Sequence, residues 1–448
     1  MMSPSIRIRI KRSLIFLHRW VGASLCLLFL LWFASGIVMM YWDFPSVRAE
    51  DRLERSPRLD APRIQLSPEE AFARLKSAPS AATQVRLNTF DGRPVYRLRP
   101  GREDRLIYAD TGEEQIDVTP EMAKRIASAW TAQPAAAAKI ESVNEIDQWT
   151  VQGGLRNVRP LWEYSWPNGE QVYISGATGE VVQYTTITSR FWAYLGAIPH
   201  WLYFTPLRKH APQWSKFVIY ASGMATVAAL LGIVVGVWMY SPEKRYKHAG
   251  MPTSIPYRGQ KRWHTILGLI FGTGAVTWAF SGMLSMDPFP AKRGPSSGRG
   301  RMQGAANLPR ALRDRLQLPA FQAKHPREAL KQLGDIAVED LELISFGGEP
   351  AYIASAATGE TRIIPIHGQP LREFGADRVV DLVTKTVAPG SLAGIRLLHD
   401  YDAYYLDRHH QRPLPVVLVS LNDAQHTRYY IDAKTARVVG SYSSRAWV

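Results

Sequence analysis

The chain has 448 residues, 46% of them hydrophobic and 21% charged, with a formal net charge of +15. That is ample material for a core and for more than one domain. Cys26 is the only cysteine, which excludes an intrachain disulfide, a multi-cysteine zinc or iron–sulfur site and a CxxCH haem attachment, so any haem must be held noncovalently.

Residues 1–12 read as a basic tail carrying Arg7, Arg9, Lys11 and Arg12. A first membrane span is expected over 13–42, because Trp20 to Trp42 contains no Lys, Arg, Asp or Glu and about 20 apolar helical residues cross the hydrocarbon. No small-residue cleavage site follows it, so it reads as an uncleaved signal anchor. A soluble domain is expected over 43–190, an aromatic interfacial segment over 191–214 and a second span over 215–240. A basic loop over 241–262 follows, then a third span over 263–286, a Gly/Ser/Arg-rich linker over 287–320 and a second soluble domain over 321–448. Lys and Arg crowd the tail and the loop between the second and third spans. By the positive-inside rule both are cytoplasmic, and the two large domains lie outside the cytoplasmic membrane. The same rule accounts for part of the positive charge. The charges are scattered and no nucleic-acid-binding module accompanies them, so no nucleic-acid partner is expected. The seven Arg and Lys of the linker could meet lipid headgroups or an anionic ligand, or be simply solvated.

The chain is two copies of one plan. His18 precedes Gly22 by four positions, and Trp32-Phe33-Ala34-Ser35-Gly36 follows; His264 precedes Gly268 by the same four, and Trp278-Ala279-Phe280-Ser281-Gly282 follows. The soluble parts repeat too. Ser67-Pro68-Glu69-Glu70 and Thr119-Pro120-Glu121 have the form of an N-cap with Pro at the first helical position. Alternating strands follow, and the turn Asp110-Thr111-Gly112-Glu113 recurs at Thr178-Gly179-Glu180, at Thr358-Gly359-Glu360 and, degenerately, at Asp432–Thr435. Four helix-plus-strand units are predicted, with helices near 67–78, 119–131, 326–333 and 376–387. The fold class is an α+β membrane protein: a bundle of three spans with two domains of helix and antiparallel strand.

His18 and His264 start equivalent helices at equivalent depth, the arrangement that supplies two axial ligands to a haem. Gly22 and Gly268 lie one turn further along the same face, and Gly36 and Gly282, five turns along it, share it. These glycines would leave room for a flat macrocycle. Equally, they could serve close helix packing, as the small-xxx-small patterns Gly232…Gly236 and Gly268…Gly272 do without any cofactor, with His18 and His264 simply interfacial. His200, before the second span, is either an outer ligand or part of an interfacial aromatic belt. His210 is a poorer candidate, and His399, His409 and His410 read as surface residues. No HExxH, GxSxG or P-loop is present, and Gly272-Thr273-Gly274 lies within a span, where it makes no dinucleotide site.

His-Arg-Trp-x-Gly at 18–22, Trp-His-x-x-x-Gly at 263–268, Pro199-His200-Trp201-Leu202 and the four strand units resemble the PepSY-associated transmembrane-helix family. That family includes iron-regulated inner-membrane proteins and a ferrioxamine-type siderophore reductase. The resemblance implies b-type haem, with His18, His264 and His200 as cofactor-binding and metal-ligating residues. Family members usually have a fourth span where this sequence reaches Ser444-Arg445-Ala446-Trp447-Val448, so the second copy is expected to be truncated or shortened, and the partner of His200 with it. The tail and the basic loop are far too small to fold a flavin or nicotinamide domain, so electrons would come from a quinol or from a redox partner protein. The leading expectation is a haem-b electron-transfer protein reducing a ferric siderophore or chelate. The alternative is a membrane-anchored PepSY module that binds a peptide or protease without redox activity, and a third is an accessory to an iron permease.

Overall fold

The computed structural model describes residues 4–75, 84–98, 105–288, 308, 312–334 and 336–444. Most of the predicted linker, the last residues of the predicted 67–78 helix and the segment after Ser444 lie outside them. Three helices are long and apolar enough to cross a membrane. The first, α1 (Pro4–Met39), continues through the predicted basic tail. It is followed by the short helices α2 (Ala49–Arg55) and α3 (Pro68–Ala73), by strands β1 (Val85–Phe90), β2 (Arg93–Leu98), β3 (Arg105–Tyr108) and β4 (Glu114–Gln115), and by α4 (Pro120–Thr131). Strands β5 (Lys139–Val143), β6 (Leu161–Ser165), β7 (Gln171–Ser175) and β8 (Val181–Thr185) come next. The interfacial segment folds as α5 (Ile187–Leu195), α6 (Ala197–Trp201) and α7 (Thr205–Arg208), leading into α8 (Ala211–Met239). A two-stranded hairpin, β9 (Tyr246–His248) and β10 (Met251–Thr253), joins α8 to α9 (Gly259–Leu284). The second half holds α10 (Pro326–Lys331), β11 (Asp340–Phe346), β12 (Glu349–Ser355), β13 (Thr361–Pro365), α11 (Ala376–Thr386), β14 (Leu392–Leu398), β15 (Val416–Leu421), β16 (Arg428–Asp432) and β17 (Val438–Tyr442).

All four predicted units are present, each a helix followed by antiparallel strands. Their local starts follow the expected chemistry. Ser67 and Thr119 accept hydrogen bonds from Glu70 N and Met122 N, with Pro at the first position of α3 and α4. At α10 the cap is His325, whose ring accepts from Arg327 N at 3.2 Å.

The first and third units do not form separate sheets. Antiparallel pairing of β1 with β11 joins them into one seven-stranded sheet, β13-β12-β11-β1-β2-β3-β4, while β5–β8 and β14–β17 form four-stranded sheets. The join is nearly two-fold symmetric. Phe90-Asp91-Gly92-Arg93-Pro94-Val95-Tyr96 and Phe346-Gly347-Gly348-Glu349-Pro350-Ala351-Tyr352 are equivalent hairpins, so Arg86 is the counterpart of Glu342, and these two pair across the seam. The pseudo-two-fold axis therefore passes through that pair. On one face Val85, Leu87 and Tyr96 meet their counterparts Leu341, Leu343 and Tyr352 in a single core under α3 and α10. Even the buried hydroxyls repeat: Tyr96 donates to Leu66 O at 2.7 Å and Tyr352 to Lys324 O at 2.8 Å, as buried polar groups must be paired.

In the bundle α8 is central, packed against both α1 and α9, whose outer surfaces are left open to lipid. Small residues allow this. Ala225 and Ala228 are buried against Leu25, and a side chain at Gly236 would meet Leu269 at 3.0 Å.

Candidate functional site

His18 on α1 and His264 on α9 come together over the surface of α8. Their ring centroids are 6.0 Å apart and their planes differ by 25°. His18 Nδ1 lies 3.0 Å from Ala228 O. A carbonyl only accepts, so Nδ1 carries the proton and Nε2 keeps its lone pair, the usual way a metal-ligating imidazole is oriented by its second nitrogen. Gly232, one turn beyond Ala228, makes room for this ring: a Cβ there would stand 2.7 Å from His18 Cε1. Gly22 and Gly268, in contrast, have no atom within 4 Å of a notional Cβ, so the surface beyond both histidines is open.

These features test whether the residues fit a haem. Two metal–imidazole bonds of about 2 Å, extended by half a ring on each side, place collinear axial imidazole centroids roughly 6 Å apart. The spacing matches, the His18 tautomer presents the correct nitrogen, and the adjacent glycines leave room for a flat group. His18 and His264 are thus the residues that would hold such a group.

His200 is not brought to them. It sits on α6 and meets α1 between Trp32 and Gly36, nearly five turns above His18, which is roughly 25 Å along the helix. Its Nδ1 is 3.1 Å from Trp32 O and 3.3 Å from Ser35 Oγ. Gly36 is required there, because a Cβ would lie 3.1 Å from the His200 ring and 2.9 Å from Trp278. His200 lines a cavity of about 350 Å³ with Trp201, Trp214, Trp278, Gly282 and Met286. No second histidine lines that cavity among the described residues. His210 instead occupies the N-cap position of α8.

Of the histidines expected at the surface, His409 has a different role. Arg408 and His409 reach Asp43 at 2.6 and 3.2 Å, and Arg408 also donates to Met39 O at 2.6 Å. A loop of the fourth unit is thereby clamped to the C-terminal end of α1 and the residues just after it. Among the described residues no group of three or more His, Cys, Asp or Glu could hold a metal ion.

Sequence reasoning missed the residues that hold the histidines. Ala228 and Gly232 fix His18, and Trp32 and Ser35 fix His200. The small-residue pattern at Gly232 and Gly236 was the one available signal, but it did not say which side chain it was clearing space for.

The family model for the PepSY-associated TM region matches residues 15–367, from just before His18 to beyond the third unit. The chain belongs to this family. It is a multi-pass membrane protein whose spans lie in a lipid bilayer. No curated protein and no solved structure matched it. Within this PepSY-associated protein, equivalent helices of the two repeats bring His18 and His264 ring to ring.

Proposed function

We propose that this protein is a haem-b electron-transfer protein of the cytoplasmic membrane, carrying electrons outward to reduce ferric iron in a siderophore or similar chelate. The observation that carries the reading is the His18–His264 pair, 6.0 Å apart on equivalent helices of the two repeats. When bound, haem supplies one-electron chemistry, with the protein setting its ligands, depth and burial. This chain's own residues then have defined tasks. His18 and His264 would hold the haem, Ala228 O holds the His18 proton, and Gly232 fixes the ring position. The four soluble units lie outside in this reading, where an acceptor arrives; the basic segments Arg7–Arg12 and Lys244–Arg262 support that orientation. The donor is a quinol in the bilayer or a redox partner protein.

The test is direct. Protein purified in detergent from haem-replete cells should show a low-spin b-type spectrum, and His18→Ala or His264→Ala should each abolish the signal of the haem held by this pair. A colourless preparation, or an unchanged spectrum in both variants, overturns the proposal.

A further inference from the structure

The pseudo-two-fold symmetry makes one difference between the halves conspicuous. On the face of the seven-stranded sheet opposite the shared core, the third unit packs against the fourth through Ile344, Phe346 and Ile353, which meet Val417, Val419 and Val383 in a closed apolar core. The equivalent positions in the first unit are Asn88, Phe90 and Arg97. Phe90 still packs against the second unit, but the two isoleucines are replaced by polar residues. There the halves part, leaving a cleft of about 750 Å³ bounded by α2, α4, the turn before β8 and the β1–β11 seam. Buried apolar contact is the dominant stabilising term, so replacing it with a polar, water-accessible hollow costs stability. A cleft of this size falls in the range of small-molecule sites.

Its lining is densely charged: the guanidinium groups of Arg52, Arg55, Arg86, Arg97, Arg125 and Arg437 stand among as many carboxylates, Glu50 on α2 included. The carboxylates in the cleft are mostly engaged. Asp340 holds Arg86 at 3.0 Å, Asp91 holds Arg125, Glu180 lies 3.7 Å from Arg97, and Glu342 takes Arg437 together with Arg313. Glu339 accepts from Ala357 N at 2.6 Å. Arg52 and Arg55, one turn apart on α2, differ from the rest. Among the described residues neither has a carboxylate partner; they hold main-chain oxygens, Val181 O at 3.1 Å and Trp130 O at 2.7 Å, and Arg55 lies over the Trp130 and Tyr184 rings. Each guanidinium has five donors and uses few of them. Arg52 and Arg55 stand side by side on α2, while the carboxylate-paired arginines on other elements are spread around the rest of the cleft, which suits several carboxylates on one molecule better than a single compact anion.

We propose that this cleft binds a small polycarboxylate, with Arg52 and Arg55 as its principal anchors. Asn88 and Arg97 keep the cleft open where the second half is closed. The assignment rests on the redox reading only for the metal such a ligand would carry, that is, a ferric polycarboxylate chelate; the recognition is by guanidinium–carboxylate pairing.

The experiment uses the full chain in nanodiscs and isothermal titration calorimetry without reductant, with citrate, ferric citrate and inorganic phosphate as separate probes. Citrate and ferric citrate should bind saturably, and Arg52→Gln/Arg55→Gln should weaken both at least tenfold. Asn88→Ile/Arg97→Ile, which installs the residues of the second half, should abolish binding while leaving the thermal midpoint unchanged or higher. Absence of saturable citrate binding by the wild type, equal affinity in the anchor variant, or binding of phosphate that citrate does not displace would each overturn the proposal. Haem absorbance of the same samples is read separately. Binding without haem therefore defeats only the redox reading, and haem without binding defeats only this one.

Discussion

Gly232→Ala offers a sharp test of the site because its effect can be worked from one contact. A Cβ at 232 would lie 2.7 Å from His18 Cε1, 3.2 Å from Nδ1 and 3.4 Å from Nε2. Unstrained contacts between carbons lie near 3.5–4.0 Å, so the ring must move by about 1 Å. That shift breaks the 3.0 Å contact between Nδ1 and Ala228 O and alters the 6.0 Å spacing to His264. Alanine in a helix interior gains about 1 kcal/mol over glycine, while overpacking costs about 1–3 kcal/mol, so the fold should lose at most about 2 kcal/mol. Losing the second-nitrogen partner of a ligating histidine costs about 10–100-fold in metal affinity. The assay is the rate of haem transfer from purified protein to an excess of apomyoglobin, beside the thermal midpoint of the apoprotein. A variant that retains haem as tightly as wild type, with the same spectrum, would refute the ligand geometry deduced for His18.

Gly22→Leu and Gly268→Leu should leave the apoprotein folded, because their Cβ positions face open space, yet should reduce haem per chain several-fold in a pyridine haemochrome assay; unchanged haem would leave these glycines a lipid-facing role only. Burial, reinforced by the adjacent Arg327, holds His325 below its usual range, and its neutral ring caps α10. A folded pKa below the unfolded one means that the cap's stability is complete above about pH 6.5 and declines as the pH falls below it. Denaturant titrations from pH 7.5 to 5 should show a loss of about 1 kcal/mol that His325→Asn abolishes. Burial also pushes the Asp340 carboxyl up, against the pull of Arg86. Arg86→Met should therefore destabilise the seam by about 3 kcal/mol by stranding that carboxyl, with Arg86→Met/Asp340→Leu recovering most of the loss. Finally, in a Cys26→Ala background, Asn168→Cys should react with an impermeant thiol reagent from outside intact cells and Lys247→Cys should not; the reverse pattern would invert the orientation.

The sequence by itself determined the local pieces, because each depends on neighbours in the chain. Twenty-residue apolar runs must be helices in lipid, Ser67-Pro68 and Thr119-Pro120 cap the helices that follow them, and the repeated Thr-Gly-Glu turns join alternating strands. The matched spacing of His18–Gly22 and His264–Gly268 also singled out the histidine pair before any contact was known. Only the tertiary structure decided how the copies associate. Strand β1 presents the same edge whether it stays unpaired or joins β11, and nothing local selects the partner; the choice comes from burying Leu87, Leu343, Tyr96 and Tyr352 together. It likewise placed α8 between the two histidine helices, so that Ala228 and Gly232, more than 200 positions from His18, orient its ring. It also showed that Asn88 and Arg97 open a cleft where Ile344 and Ile353 close one. Such facts depend on contacts between distant segments, and no window of sequence contains them.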